Sequence, residues 1–360
     1  MLRALQIENF RGLRKVDLPE LRRVNLIVGA NDTGKTSVLE ALTLLLGDER
    51  MVKALPELFR RSHAEGHGRT ELNHFWHWLS FDQKSQNQIR IRGVHSDSEL
   101  EDLVEGADPS SWDHESDSNL LFRREDVYGD SLGGYETAEG VKLTASPGMR
   151  FASNRVASFG PSNASLVEAA ERYNSVVLKR GSEERFEALM RAVDPRVQRL
   201  RYARMPGSPQ PLIYVDLGLS EAVPITQMGQ AFGRLFNLYT EILVSNAKVL
   251  LIDEIETAIH YTALQRVYTW LLKACTKYNV QLIATTHSLE ALDAILDAAA
   301  PGEALHMVSD NEFDSTELAP AGAEDLVVYR LNRKGTGVTV KRHSGAMAWE
   351  LRTRGGMDLR

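Results

Sequence analysis

Apolar and polar positions along the chain fall into two periods. Leu2–Ile7 alternates and predicts a strand, and Val24–Val28 predicts a second one that ends at Gly29. The apolar stretch Thr36–Leu46 that follows has helical spacing. A strand, a glycine-containing loop and a helix make one half of a nucleotide-binding α/β unit. Farther along, helices are expected over Leu166–Lys179, with Leu166, Ala169, Ala170 and Tyr173 on one face, and over Glu183–Val193, which Asp194–Pro195 stops. Strands are expected at Gln198–Ala203 and Leu212–Leu217, and a helix at Gly229–Val244. Lys248–Ile252 and Val280–Thr285 are continuous apolar runs, the mark of strands buried on both faces, and an amphipathic helix, Tyr261–Lys277, lies between them. Leu326–Asn332 and Val338–Arg342 flank Lys334–Gly337 as a hairpin. There is no internal repeat and no coiled-coil heptad.

Composition changes this picture in one region. The chain has 360 residues, 43% hydrophobic and 25% charged, which excludes a mostly disordered protein and suits one large α/β domain with insertions, or two domains. No run reaches the ~20 apolar residues of a membrane span, and the N-terminus lacks the apolar core of a secretory signal. Cys275 is the only cysteine, so an internal disulfide is excluded and a reducing cytoplasm is the expected location. A net charge of -7 gives no global attraction to nucleic acid. The acidic charge is concentrated between Asp97 and Asp130, where only Arg123 and Arg124 oppose it, and glycines follow. This stretch reads as a solvated insertion with little core of its own.

The strongest chemical signal is Gly29-Ala30-Asn31-Asp32-Thr33-Gly34-Lys35-Thr36, a full GxxxxGK[ST] match between a strand and a helix, with Ser37 following. Glycines let the loop curl its N–H groups onto phosphate oxygens, and the helix adds its positive end. Lys35 would reach the β- and γ-phosphates of ATP, and the Thr36 hydroxyl would join a Mg²⁺ shell. Val249–Ile252 then delivers Asp253 and Glu254 to the C-terminal end of a buried strand, where ligands of α/β proteins bind. Asp253 suits the metal and Glu254 the attacking water. A third element, Ala284-Thr285-Thr286-His287-Ser288, ends the next buried strand, and His287 there is placed to hydrogen-bond a γ-phosphate.

Together with Ile7-Glu8-Asn9-Phe10-Arg11-Gly12 and Ile252–His260, these motifs resemble ABC-type ATPases, most nearly the overcoming-lysogenisation-defect (OLD) family and its stand-alone relatives. SMC and recombination-mediator ATPases are more distant kin. The resemblance covers Met1 to about Leu46 and Val167 to the end. It implies a P-loop head with a mixed central sheet and flanking helices, and head-to-head dimers or higher oligomers with ATP between subunits. It also implies Glu254 as catalytic base, Glu256–His260 as the loop crossing to the partner, His287 as the γ-phosphate switch and Arg11 near the nucleotide. The expected division is an ATPase core at 1–50 and 196–310, an insertion at 51–195 (an acidic loop at 97–140 plus helices at 165–195), and a hairpin and helix at 311–360 packed on the core.

The signature motif departs from the family's pattern. Pro224–Arg234 keeps Gly229, Ala231 stands where another glycine is expected, and Thr226 and Gln227 compete for the serine position. Gln83 is the candidate for the Q-loop glutamine. The Toprim nuclease of many OLD proteins needs an Asp-x-Asp, which this sequence lacks, and only a hairpin and one helix are expected after His287. His63, His67, His74 and His77 fit no zinc spacing, and Phe75, Trp76 and Trp78 read as core or a partner anchor. Arg60, Arg61, Lys341, Arg342, Arg352, Arg354 and Arg360 are candidates for nucleic-acid contact, and His260 and Tyr261 for interface or packing. The expected function is an ATPase whose ATP-dependent dimerisation regulates a separate protein effector, a nuclease or toxin, in anti-phage defence. The alternatives are a DNA-binding repair ATPase and a nucleotide-stabilised scaffold.

Overall fold

The computed structural model describes residues 1–59, 79, 88–95, 101–106, 118–125, 131–137, 140–145, 156–160, 166–177, 182–191, 193–204, 210–244, 247–300 and 322–360. For most of 101–145 it describes the backbone alone. Gln83, Arg60, Arg61, the four histidines from His63 to His77 and the aromatic group Phe75, Trp76 and Trp78 lie outside the described residues.

The strands are β1 (Leu2–Phe10), β2 (Leu13–Leu18), β3 (Val24–Val28), β4 (Arg90–His95), β5 (Glu101–Gly106), β6 (Ser118–Glu125), β7 (Ser131–Thr137) and β8 (Gly140–Ala145), then β9 (Val156–Phe159), β10 (Arg199–Ala203), β11 (Leu212–Asp216), β12 (Val223–Pro224), β13 (Val249–Ile252), β14 (Gln281–Thr286), β15 (Leu326–Lys334) and β16 (Gly337–Ser344). The helices are α1 (Lys35–Leu46), α2 (Glu49–Leu58), α3 (Leu166–Val177), α4 (Ser182–Arg191), α5 (Gln230–Val244), α6 (Tyr261–Lys277), α7 (Leu289–Ala299) and α8 (Gly345–Thr353).

A six-stranded sheet runs in the order β16-β15-β3-β14-β13-β9. Its members are parallel except β16, which turns back on β15. Every residue of β3, β13 and β14 is buried. Alternation sorts their side chains between two cores. Leu26, Val28, Leu250, Ile252, Leu282 and Ala284 join residues of α3 and α5–α8 on one face. Ile27, Leu251 and Ile283 join α1 and the strands β1 and β2 on the other. Burial on both faces is why these strands read as unbroken apolar runs. A three-stranded antiparallel sheet, β10-β11-β12, leads into α5.

The second large sheet corrects two expectations. The described residues of the acidic segment 97–140 are strands, not a loop: β5, β6, β7 and β8 extend an antiparallel seven-stranded sheet in the order β2-β1-β4-β5-β6-β7-β8. Antiparallel pairing satisfies backbone N–H and C=O groups whatever residues carry them, so an acidic sequence does not forbid it. Nor do residues 51–195 form one insertion, because β4 pairs with β1 in the seven-stranded sheet and β9 pairs with β13 in the core sheet. Likewise the C-terminal hairpin does not pack on the core sheet but joins it, with β15 running parallel to β3 from Leu326 opposite Val24 to Arg330 opposite Val28. Two helices, α7 and α8, follow His287 where one was expected. Ser288 opens α7 by accepting the Ala291 N–H on Oγ, and Leu289, Leu292, Ile295 and Leu296 carry its apolar spacing.

Candidate active site

Three parallel strands end side by side and bring the predicted residues together. After β3 the chain turns through Gly29 and reaches α1 through Gly34, whose φ of 89° is left-handed. A Cβ on Gly34 would stand 2.4 Å from Leu13 Cδ2, so only glycine fits the turn and the space. No side chain caps α1, which leaves its first N–H groups to the loop mouth, the arrangement that receives an anion. Thr33 Oγ1 donates to the Ala30 carbonyl at 2.9 Å, and Arg333 Nε donates to the Asp32 carbonyl at 2.8 Å, bracing the loop. The Lys35 ammonium is folded over the same loop, donating to the carbonyls of Gly29 at 2.7 Å and Ala30 at 2.8 Å. Burial pulls its pKa down, and Asp253, Glu256, Glu254 and Asp32 counter that pull.

Asp253, 3% exposed, closes β13 opposite this loop. Thr36 Oγ1 lies 3.2 and 3.1 Å from its two carboxylate oxygens, and Thr285 Oγ1 donates to Oδ1 at 2.6 Å. Burial nevertheless raises the carboxyl pKa, with Glu254 adding to the rise and Lys35 opposing it. A buried carboxylate and a threonine hydroxyl in contact are a hard oxygen donor set, and a divalent cation such as Mg²⁺ would relieve the desolvated charge. The residues therefore fit a Mg²⁺ ion held by Thr36 and Asp253 beside a triphosphate on the P-loop.

Glu254 follows with a left-handed φ of 47°, and its Oε2 accepts the Thr257 hydroxyl at 3.0 Å. Glu256 Oε1 accepts the His287 N–H at 3.2 Å and lies 3.3 Å from His287 Nδ1, which ties the end of β14 to the loop after β13. The His287 side chain is half exposed. His260 caps α6 through Nδ1, and Tyr261 beside it is 68% exposed. Thr226, Gln227, Gly229 and Gln230 form an exposed rim before α5.

Arg11 is turned inward instead of facing a ligand. It is buried, and its Nε lies 3.2 Å from Glu40 Oε2 on α1. Of the C-terminal basic candidates, Arg342 pairs with Glu20, Arg352 bidentately with Asp293, Arg354 with Glu350 and Arg360 with Asp358. Sequence reasoning missed Thr285 and Arg234 as site residues. Arg234 Nη2 donates to the carbonyls of Asp253 and Glu254 at 2.8 and 3.0 Å. Thr285 stood inside a motif already singled out, whereas nothing in the sequence reports a carbonyl contact from α5.

Comparison with known proteins agrees with this geometry. A family model described as "AAA domain, putative AbiEii toxin, Type IV TA system" matches residues 74–293, which include Asp253, Glu254 and His287. One described as "AAA ATPase domain" matches residues 1–109, which include the P-loop. An ATP/GTP phosphatase of Helicobacter pylori is 19% identical over 338 residues, covering 82% of this chain and 88% of that protein. An OLD nuclease of Thermus scotoductus is 52% identical over 48 residues, 13% of this chain and 9% of the nuclease. The SMC head bound to the C-terminal winged-helix domain of ScpA superposes with a TM-score of 0.52 at 13% identity, covering 96% of this chain and 98% of that one, a likeness of fold. No described helix is long and apolar enough to cross a membrane. Since the first model spans more than half of the chain and the second covers the P-loop, the chain belongs to the AAA-domain family of putative AbiEii toxins and type IV toxin–antitoxin systems, as an ATPase with the fold of an SMC head.

Proposed function

We propose that this chain hydrolyses Mg–ATP and that the ATP-bound form pairs head to head with a second copy to regulate a separately encoded effector, a nuclease or toxin, in anti-phage defence. The observation that carries the reading is the joining of Thr36 to both oxygens of buried Asp253, with Glu254 next in the chain. Lys35 and the α1 N–H groups bind and orient the phosphates. A Mg²⁺ ion on Thr36 and Asp253 would neutralise charge on the phosphate oxygens. The Glu254 carboxylate takes a proton from the attacking water, and His287 donates a hydrogen bond toward the γ-phosphate. The pairing is supported by the exposed rim at 226–230 and by exposed Tyr261 after the Glu256–His260 loop. The family's description as toxin and toxin–antitoxin components motivates the effector.

Replacing Glu254 by Gln is expected to leave ATP binding intact, to slow turnover by roughly 100-fold or more, and to accumulate an ATP-bound dimer. Light scattering on the eluting protein, with and without Mg–ATP, reads the dimer, and phosphate release reads the rate. Turnover at the parent rate would remove Glu254 as the base, and a monomer in saturating ATP would remove the pairing.

A further inference from the structure

Glu254 occupies backbone that a side chain resists. Its φ of 47° is in the left-handed region, which persists only where surrounding structure holds it. Two side chains from other elements do so. Thr285, fully buried on β14, accepts the Glu254 N–H on Oγ1 at 2.9 Å and donates through the same hydroxyl to Asp253 Oδ1 at 2.6 Å. Arg234, on α5, donates through Nη2 to the carbonyls of Asp253 and Glu254. The amide on one side of the Glu254 Cα and the carbonyl on the other are thus both held from outside the loop. Arg234 keeps these two bonds although its Nη1 is buried with no hydrogen-bond partner among the described residues, as is Glu256 Oε2. Among the described residues its hydrogen bonds go to these two carbonyls, while Glu256, Asp253 and Glu254 supply favourable negative charge around it.

We propose that Thr285 and Arg234 form a clamp that aims the Glu254 carboxylate, as positioning residues for hydrolysis. The proposal rests on the reading of Glu254 as the base. The clamp fixes the backbone from which the carboxylate projects, and a reacting group displaced by about 1 Å can lose roughly 100-fold in rate. It also joins two places. Arg234 rides on the helix whose first turn follows the exposed rim at 226–230, so a shift of α5 pulls directly on the Glu254 carbonyl.

The test compares kcat for ATP, the Kd for N-methylanthraniloyl-ATP and the melting temperature in five variants: Thr285→Val, Thr285→Ser, Arg234→Met, Arg234→Lys and Glu254→Gln. Valine keeps the shape of threonine and removes the hydroxyl, whereas serine keeps the hydroxyl. Thr285→Val is expected to lower kcat by about tenfold or more with Kd within about twofold, and Thr285→Ser to recover most of the rate. Arg234→Met should lower kcat likewise and Arg234→Lys restore part of it, since an ammonium can still donate to a carbonyl. The clamp is overturned if the valine and serine variants turn over equally, or if kcat falls only in step with nucleotide affinity or melting temperature. Loss of turnover in Glu254→Gln alongside parental rates in the clamp variants sinks the clamp and keeps the base. Parental turnover in Glu254→Gln sinks the base itself.

Discussion

The two large sheets of this molecule use opposite means to stay together. In the parallel sheet, VNLIV, VLLI and QLIATT are buried along their full length, and the side chains divide cleanly between two cores. In the antiparallel sheet, the outer strands read EDLVEG, SNLLFRRE, SLGGYET and GVKLTA, with short apolar pairs among charges and glycines. Their order comes from register. The only two cations of the acidic run fall on β6, with Arg123 opposite Glu105 and Arg124 opposite Val104 on β5. The core sheet is therefore specified by burial and the outer strands by pairing, and the nucleotide loop sits where the two sheets meet.

That joint is where the comparison breaks most readily. Arg11, in the turn after β1, reaches Glu40 on α1, and both are buried. Removing one member of a buried ion pair leaves the other charge less compensated, so Arg11→Met is expected to destabilise the fold by about 3–5 kcal/mol, while exchanging both for apolar residues costs far less. Chemical denaturation of the single and double variants measures this, and equal losses would show that charge pairing is not what holds the joint. Next comes Leu132 on β7, fully buried in the same cluster as Leu2, Leu45 and Ile91. Leu132→Ala should cost about 2–5 kcal/mol, the range for any core leucine. A change within about 0.5 kcal/mol, as on a surface, would return the acidic segment to the status of a loosely attached appendage.

The same contrast explains what the sequence revealed. Val24–Val28 and Tyr261–Lys277 were legible to the residue because one period, uninterrupted, ran from end to end. That the P-loop, Asp253, Glu254 and His287 meet at the ends of neighbouring strands was legible because each motif closes a buried apolar run. The strands β5–β8 were not, since mean charge hides an alternation only a few residues long. Strand β9 was missed because a four-residue run cannot be told from a loop by periodicity. Arg11 and Arg234 mark the other limit. Both are arginines near a nucleotide motif, yet one is turned onto Glu40 and the other onto two carbonyls, and only the packing of distant segments decides between those fates.

A smaller effect tests contact between the sheets at the loop itself. Gly34→Ala would place a methyl group 2.4 Å from Leu13 Cδ2 in backbone at φ 89°, and overpacking of this kind costs about 1–3 kcal/mol. Leu13 belongs to β2 of the antiparallel sheet, so shortening it in the same chain should give back about 1 kcal/mol relative to the sum of the single changes. Strict additivity in a thermal or urea double-mutant cycle would mean that the strain is confined to the P-loop backbone, and that the outer sheet does not press on the phosphate site.

The smallest effect is a pH dependence at the far edge of the core sheet. His343 on β16 is 2% exposed, and neither ring nitrogen has a hydrogen-bond partner among the described residues. Burial, with Lys341 and Arg330 nearby, holds the imidazole below its ordinary pKa of 6.5. In the unfolded chain the ring gains its proton as pH falls through that ordinary value, while in the folded chain it resists. Unfolding then takes up a proton, so stability declines as pH drops below about 6.5 and levels off once the folded ring is protonated too. Above that range the group contributes no slope. His343→Leu removes the titration and two unsatisfied buried nitrogens together, so it should be neutral or stabilising at pH 8 and increasingly favourable toward pH 5.5. Urea midpoints across that range measure the difference between variant and parent. A constant difference would show that the folded ring takes up its proton over the same pH range as the unfolded one, so that burial does not hold it neutral.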